Sequence, residues 1–297
     1  MKQLLKRSAS VYLALIASAL MALAKPSAEI DKRIVTIGGA ATEIVFALGA
    51  GSSVVAADLS SIYPPQAREL PMVGYVRNIS PEGVLSMSPD LVIATGALGP
   101  PTARQMLERL DIDIIWLPNL STPEELLSSI KTVSERLALT DAAKVLIEEV
   151  NHGLAQAAAN SINWTKDAPS VLFLLEPPGK STPGMGGGLD SKANTLIGLA
   201  GGTNAATGFS GFKPVSVESL VAMNPDVILV GQSDRHGGSP ESIQAMIAST
   251  ALSEVSAIKK DAVYAVPLDD LAFGPRLGEV TLRWNTLLGN HTPLANP

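Results

Sequence analysis

The chain has 297 residues, 46% of them hydrophobic and 17% charged, with a formal charge of −6 and no cysteine. That length supports one or two packed cores, and the acidic balance lacks the broad basic face that a nucleic-acid partner requires. Without thiols there are no disulfides, Cys-ligated zinc, iron–sulfur clusters, thiol catalysis or lipid-modified cysteine.

At the N-terminus, Lys2, Lys6 and Arg7 precede an uncharged, mostly apolar run over residues 11–23, and Ala22-Leu23-Ala24 offers a small-x-small cleavage pattern. This reads as a secretory signal over residues 1–24, cut after Ala24. The apolar run is shorter than the roughly 20 residues that span a bilayer. The expected mature protein is therefore exported to the periplasm. Its domain plan is an N-terminal α/β lobe over residues 25–121, a helical connector over 122–165 and a C-terminal α/β lobe over 166–297.

An internal repeat carries that plan. Residues 79–94 align without gaps onto residues 215–230, with Ser80/Ser216, Glu82/Glu218, Met87/Met223, Pro89/Pro225 and Asp90/Asp226 identical. Each copy predicts a Ser-capped short helix with an acid in its first turn, a Pro-Asp turn, and an apolar strand buried on both faces. The same spacing relates two earlier strands, at 34–37 and 170–173, each followed by a loop and a helix, at 42–48 and 193–199. The loop of the second half, residues 176–190, is about 15 residues longer. It is rich in Gly and Pro, which predicts neither helix nor central strand, and long loops in compact domains are usually functional. In the connector, Leu126, Ile130, Val133 and Leu137 mark one apolar stripe, and Val145, Ile147, Val150 and Leu154 mark a second after the cap at Thr140-Asp141. The fold expected is α/β: two similar Rossmann-like lobes joined by a long helix, with a ligand cleft between them outside the strand C-termini.

Catalytic chemistry is hard to place in this sequence. His152, His236 and His291 have no metal-ligand spacing. His236 follows the second repeat strand and is the one His near an expected strand C-terminus. No Gly-x-Ser-x-Gly elbow and no Walker sequence occurs. Gly186-Gly-Gly188 reads as a flexible loop.

Arg33-Ile-Val-Thr-Ile-Gly-Gly-Ala-Ala-Thr-Glu43, Tyr63-Pro-Pro-Gln-Ala67 and both copies of the repeat resemble the class III periplasmic binding proteins of ABC importers, which carry cobalamin, ferric siderophores and haem. Within that group, Leu70-Pro-Met-Val-Gly-Tyr-Val-Arg77 resembles the Val-Gly-Tyr-x-Arg segment of haem-binding members, and Phe273-Gly-Pro-Arg276 is similar to them too. The resemblance implies haem as transported ligand, Tyr75 as axial iron ligand and Arg77 as its support. Ferric haem accepts a phenolate, and a neighbouring cation favours that charged form. An extended backbone over residues 74–77 would put both side chains on one side. Some haem-binding relatives add a His from the long loop. This sequence has none there, which implies Tyr75 as sole protein ligand, with the loop as apolar cover, Met185 as a weak contact, and Arg276 and His236 at the cleft.

The resemblance also implies that Glu82 and Glu218, one per lobe, dock on arginines of the membrane permease, matching the two-fold relation of the repeat. Partners implied are the inner-membrane permease and ATPase and an upstream outer-membrane haem receptor, with the protein itself a monomer. The alternatives are the same fold binding a ferric siderophore or corrinoid, or an exported hydrolase, for which a nucleophile–base pair is missing.

Overall fold

The computed structural model describes residues 30–162, 164, 168–179, 182–233 and 237–290. The expected signal segment and cleavage site lie outside the described residues, as do Lys180, Arg235, His236 and His291.

Strands and helices alternate along the chain: β1 (Ile34–Ile37), α1 (Gly39–Ala47), β2 (Val54–Ala57), β3 (Gly74–Tyr75), β4 (Asn78–Ile79), α2 (Pro81–Ser86), β5 (Leu91–Thr95), α3 (Pro101–Glu108), β6 (Asp113–Leu117) and α4 (Pro123–Arg136). Helix α5 (Thr140–Ile162) leads into β7 (Ser170–Glu176), β8 (Gly184–Gly187), α6 (Lys192–Leu199), β9 (Thr203–Asn204), β10 (Phe212–Val215), α7 (Val217–Met223), β11 (Val227–Gln232), α8 (Pro240–Ile247), α9 (Ser256–Lys259), β12 (Val263–Pro267) and α10 (Leu277–Gly289). The N-terminal lobe is built on a parallel sheet of order β2-β1-β5-β6. The C-terminal lobe has the order β10-β8-β7-β11-β12, with β7, β11 and β12 parallel and β8 antiparallel to its neighbours. The molecule is thus two α/β lobes joined by α4 and α5.

The repeat is physical as well as textual. Ser80 caps α2 by accepting from the Gly83 amide, and Ser216 caps α7 by accepting from the Ser219 amide. The Pro-Asp turn does the same work in each lobe. Asp90 accepts from the Arg33 amide at 2.8 Å, and Asp226 accepts from the Ser170 amide at 3.2 Å and its hydroxyl at 3.1 Å. Each Asp thereby ties the end of its helix to the start of its lobe's first strand.

Two sequence expectations are corrected. Residues 176–190 are not a loop throughout, because β8 runs within them as an inner strand between β7 and β10. Its glycines are what let it in: a β-carbon at Gly184 would stand 2.5 Å from the Glu176 carbonyl oxygen, and one at Gly188 2.3 Å from that of Phe209. Along α5 the buried face is Ala143, Leu146, Val150, Gly153 and Ala157, whereas Val145 is exposed. Of the expected stripe, Val150 is buried and Ile147 and Leu154 pack against the core, but the face is shifted because α5 packs against α10 at a crossing of small residues: a β-carbon on Gly153 would lie 2.6 Å from the Gly278 carbonyl carbon. Beside that crossing, the Asn285 amide donates to Ala157 O, Ser161 Oγ and Ala200 O, linking three helices.

The lobes also touch through charge. Glu43 of α1 is buried, and Arg276 holds it in a two-pronged pair, Nε to Oε2 at 3.1 Å and Nη2 to Oε1 at 2.9 Å. The Arg276 Nη2 also reaches Asp269 at 2.9 Å, and the guanidinium lies 3.7 Å from the centre of the Tyr63 ring. Burial pushes the Glu43 carboxyl up to about 7, against the opposing pull of Arg276. Because the unfolded carboxyl titrates near 4.5, the folded chain holds a proton between those values that the unfolded chain has released. The stabilisation this represents is complete below the unfolded value and is lost as pH rises through about 7.

Two tests follow from the packing. Gly153→Ala should cost about 1–3 kcal/mol by overpacking, whereas Gly198→Ala, in a helix with nothing within 4 Å of the new β-carbon, should gain up to about 1 kcal/mol. Denaturation midpoints of opposite sign check this. The melting temperature of the unliganded protein should fall as pH rises through 7, and Glu43→Gln should flatten that slope. A slope should remain in the variant at lower pH, ending near 6, since burial also raises Asp270, to about 6.

Candidate ligand-binding cleft

The parallel strands of the N-terminal lobe deliver their following loops to one edge, and the candidate site is assembled there. The segment after β2 begins with Asp58, which is buried. Its Oδ1 accepts from the Gly38 amide at 2.7 Å and the Ser61 hydroxyl at 2.8 Å. Its Oδ2 accepts from the Ser60 amide at 2.9 Å, the Ser60 hydroxyl at 2.6 Å and the Val76 amide at 3.1 Å. A chain of buried hydroxyls, Thr36 to Thr42 to Ser61, backs this carboxylate. One side chain therefore satisfies donors from the loop after β1, the loop after β2 and the hairpin of β3 and β4.

That hairpin carries Tyr75 and Arg77. It is not extended through residue 77 as expected. Tyr75 pairs with Asn78, and Val76 and Arg77 form the turn between them. The two side chains are nonetheless both exposed, because the intervening Val76 is buried in the lobe core. Backbone contacts fix the hairpin from two sides: the Leu59 amide donates to Gly74 O at 2.8 Å, and the Gly99 amide, beyond β5, donates to Val76 O at 2.8 Å. Tyr75 is 45% exposed. Met72 and Tyr63 from the same segment are exposed too, as is Leu189 from the other lobe.

Lys192 opens α6 in the C-terminal lobe. Its ammonium lies 3.5 Å from Ala272 O and 5.9 Å from the centre of the Phe273 ring. Burial, with the Arg77 charge adding to it and Glu125 opposing, brings this lysine down to about 8. Arg77 belongs to the N-terminal lobe and Glu125 to the connecting helix α4, so Lys192 senses charges outside its own lobe.

The other expected site residues are dispersed. Met185 lies in β8, partly buried, opposite Pro214 and Glu176. Arg276 lies between the lobes, with Nε and Nη2 engaged by Glu43 and Asp269. His236 is outside the described residues. Glu82 and Glu218 are exposed in the first turns of α2 and α7. Sequence reasoning missed Asp58, Glu43 and Lys192. For Asp58 a signal existed, since an Asp-x-Ser-Ser turn directly follows an apolar strand.

Residues 34–269 match the family described as periplasmic binding protein. Among solved structures, the chain is 31% identical to the periplasmic heme-binding protein BhuT in complex with two hemes, covering 88% of this chain and 98% of that one, with a TM-score of 0.78. A periplasmic heme-binding protein from Pseudomonas aeruginosa is 26% identical over 89% of this chain and 95% of its own, also with a TM-score of 0.78. The curated relatives include an uncharacterized ABC transporter substrate-binding lipoprotein, YvrC of Bacillus subtilis, 26% identical over 84% of this chain and 77% of that protein. The vitamin B12-binding protein of Vibrio cholerae is 27% identical over 83% of this chain and 84% of its own. The chain belongs to the class III periplasmic binding proteins, the substrate-binding components of ABC importers.

Proposed function

We propose that this protein captures haem in the interlobe cleft outside the cytoplasm and delivers it to the permease of an ABC importer. The observation that carries the reading is the Tyr75 hairpin: a solvent-reaching phenol with a guanidinium two residues on, held rigidly at the strand C-terminal edge by Asp58. Rigid placement matters because an axial ligand must meet the iron at a fixed distance. Phenolate is a hard anionic donor suited to ferric iron, and Arg77 favours the ionised form. Exposed Tyr63, Met72 and Leu189 supply apolar surface for a porphyrin face. Haem-binding structures at 30% and 31% identity support the same cargo.

The second reading is a corrinoid, favoured by the curated vitamin B12-binding relatives. A titration separates the two. Hemin added to the protein should give a Soret band with the charge-transfer band of a phenolate-ligated ferric haem, and cyanocobalamin should not displace it. Displacement by cyanocobalamin, or absence of the Soret band, would favour the corrinoid.

Glu82 and Glu218 enter the reading as the permease contacts, one on each lobe at equivalent helix starts. The Glu218 backbone amide, helped by the Ser216 hydroxyl, holds the Glu218 carboxyl below the usual carboxylate range, so it stays charged.

Tyr75→Phe should leave the melting temperature of the unliganded protein nearly unchanged, since the hydroxyl already reaches solvent, while hemin loses its phenolate spectrum and transfers faster to an acceptor. Arg77→Ala should give a milder form of the same change, as it removes the supporting cation and not the iron bond. Hemin binding should survive the double change Glu82→Ala with Glu218→Ala, but stimulation of the transporter ATPase should drop by more than in either single variant, because single exposed ion pairs are weak.

A further inference from the structure

We propose that Lys192 is the anchor for a carboxylate of the cargo, and that it selects a tetrapyrrole bearing propionates over one whose side chains are amides. The inference rests on the haem reading and deepens it.

The Lys192 ammonium is a poorly compensated charge. A lysine withdrawn from water loses hydration that only a partner can replace. Among the described residues no carboxylate lies within ion-pairing distance of Lys192. Its contacts are one long hydrogen bond to Ala272 O and the distant face of Phe273. The nearest acid it senses, Glu125, is already committed: Oε2 accepts from the Ser121 amide, the Ser121 hydroxyl and the Thr122 amide at the start of α4. Arg77 of the other lobe, another cation, acts on it from a distance and disfavours its charge in the unliganded protein.

An anion placed between the lobes reverses the sign of that interaction. It supplies the missing partner for Lys192 and turns the repulsion from Arg77 into a bridge. Haem brings two carboxylates on flexible arms at one edge of a flat apolar ring, which fits an anchor on one lobe and an axial tyrosine on the other. A corrin with carboxamide arms offers dipoles in place of charges and leaves the lysine uncompensated, and a site built for a charged group rejects an isostere that lacks it.

The test compares hemin with hemin dimethyl ester, delivered in the same solvent, on the unsubstituted protein, Lys192→Met and Lys192→Arg, by Soret titration with melting temperatures of the unliganded proteins alongside. A charge-assisted contact is worth about tenfold or more in affinity. The unsubstituted protein should therefore prefer hemin over the diester by about tenfold or more. Lys192→Met should weaken hemin by a similar factor and leave the diester unchanged, with the charge-transfer band intact because Tyr75 is untouched. Lys192→Arg should restore most of the preference. Equal binding of hemin and diester by the unsubstituted protein overturns the anchor whether or not the variants fold, as does an equal loss for both ligands in Lys192→Met. If hemin binds and the substitution changes neither ligand, the anchor alone falls. If hemin gives no titration with the unsubstituted protein, the haem reading falls and takes the anchor with it.

Discussion

The geometry of the cleft hangs on one buried carboxylate. Asp58 accepts five hydrogen bonds, from Gly38, Ser60, Ser61 and Val76, and so joins the loop after β1, the turn after β2 and the β3–β4 hairpin through one side chain. Burying a carboxylate without donors costs several kcal/mol, so each of these donors is needed as much as the acid itself. The arrangement makes the β3–β4 hairpin a rigid mount in place of a mobile loop tip. A two-residue hairpin in isolation has little reason to hold a shape. Tied to Asp58 through Val76, and to Leu59 and Gly99 through the backbone, it presents Tyr75 and Arg77 in one fixed relation.

The two lobes repeat a single device. In each, a capped helix, a Pro-Asp turn and a buried strand are wired back to the lobe's first strand by the Asp. The lobes differ where the site differs. The second half inserts β8, a glycine strand that adds width to its sheet without side-chain bulk, and then starts α6 with Lys192. The first half spends its extra residues between β2 and α2 on the Asp58 turn and the hairpin. The duplicated frame thus carries two unlike walls, one with a phenol and a guanidinium, the other with an ammonium beside Phe273.

What could be read from the sequence was what local chemistry dictates. Strand β1 is found where an apolar run predicted it, and Ser80 and Ser216 cap their helices as their side chains require. The stripe Leu126, Ile130, Val133 and Leu137 is buried as its spacing implied. The misreadings came where distant partners decide. A glycine run looks like a loop until a neighbouring backbone is seen to need the space, as at Gly184 and Gly188. Val145 and Leu146 are equally apolar, and the crossing with α10 at Gly153 and Gly278 determines which turns inward. No local pattern reveals the Arg276 pairing either, because its partner Glu43 lies 233 residues away. Lys192 has no local pattern at all; its significance comes from Arg77 on the opposite lobe and Glu125 on the connecting helix.

The Glu43–Arg276 pair has a mechanical meaning beyond its charge. Helices α4 and α5 carry the chain from one lobe to the other. The ion pair is a second point of attachment, well away from the first in sequence. A third is the hydrophobic core, which runs unbroken from Ile34 through Leu126 and Leu146 to Trp284. Sliding or parting the lobes would have to strip a buried carboxylate of its guanidinium and expose part of that core, and these costs hold the two walls of the cleft together.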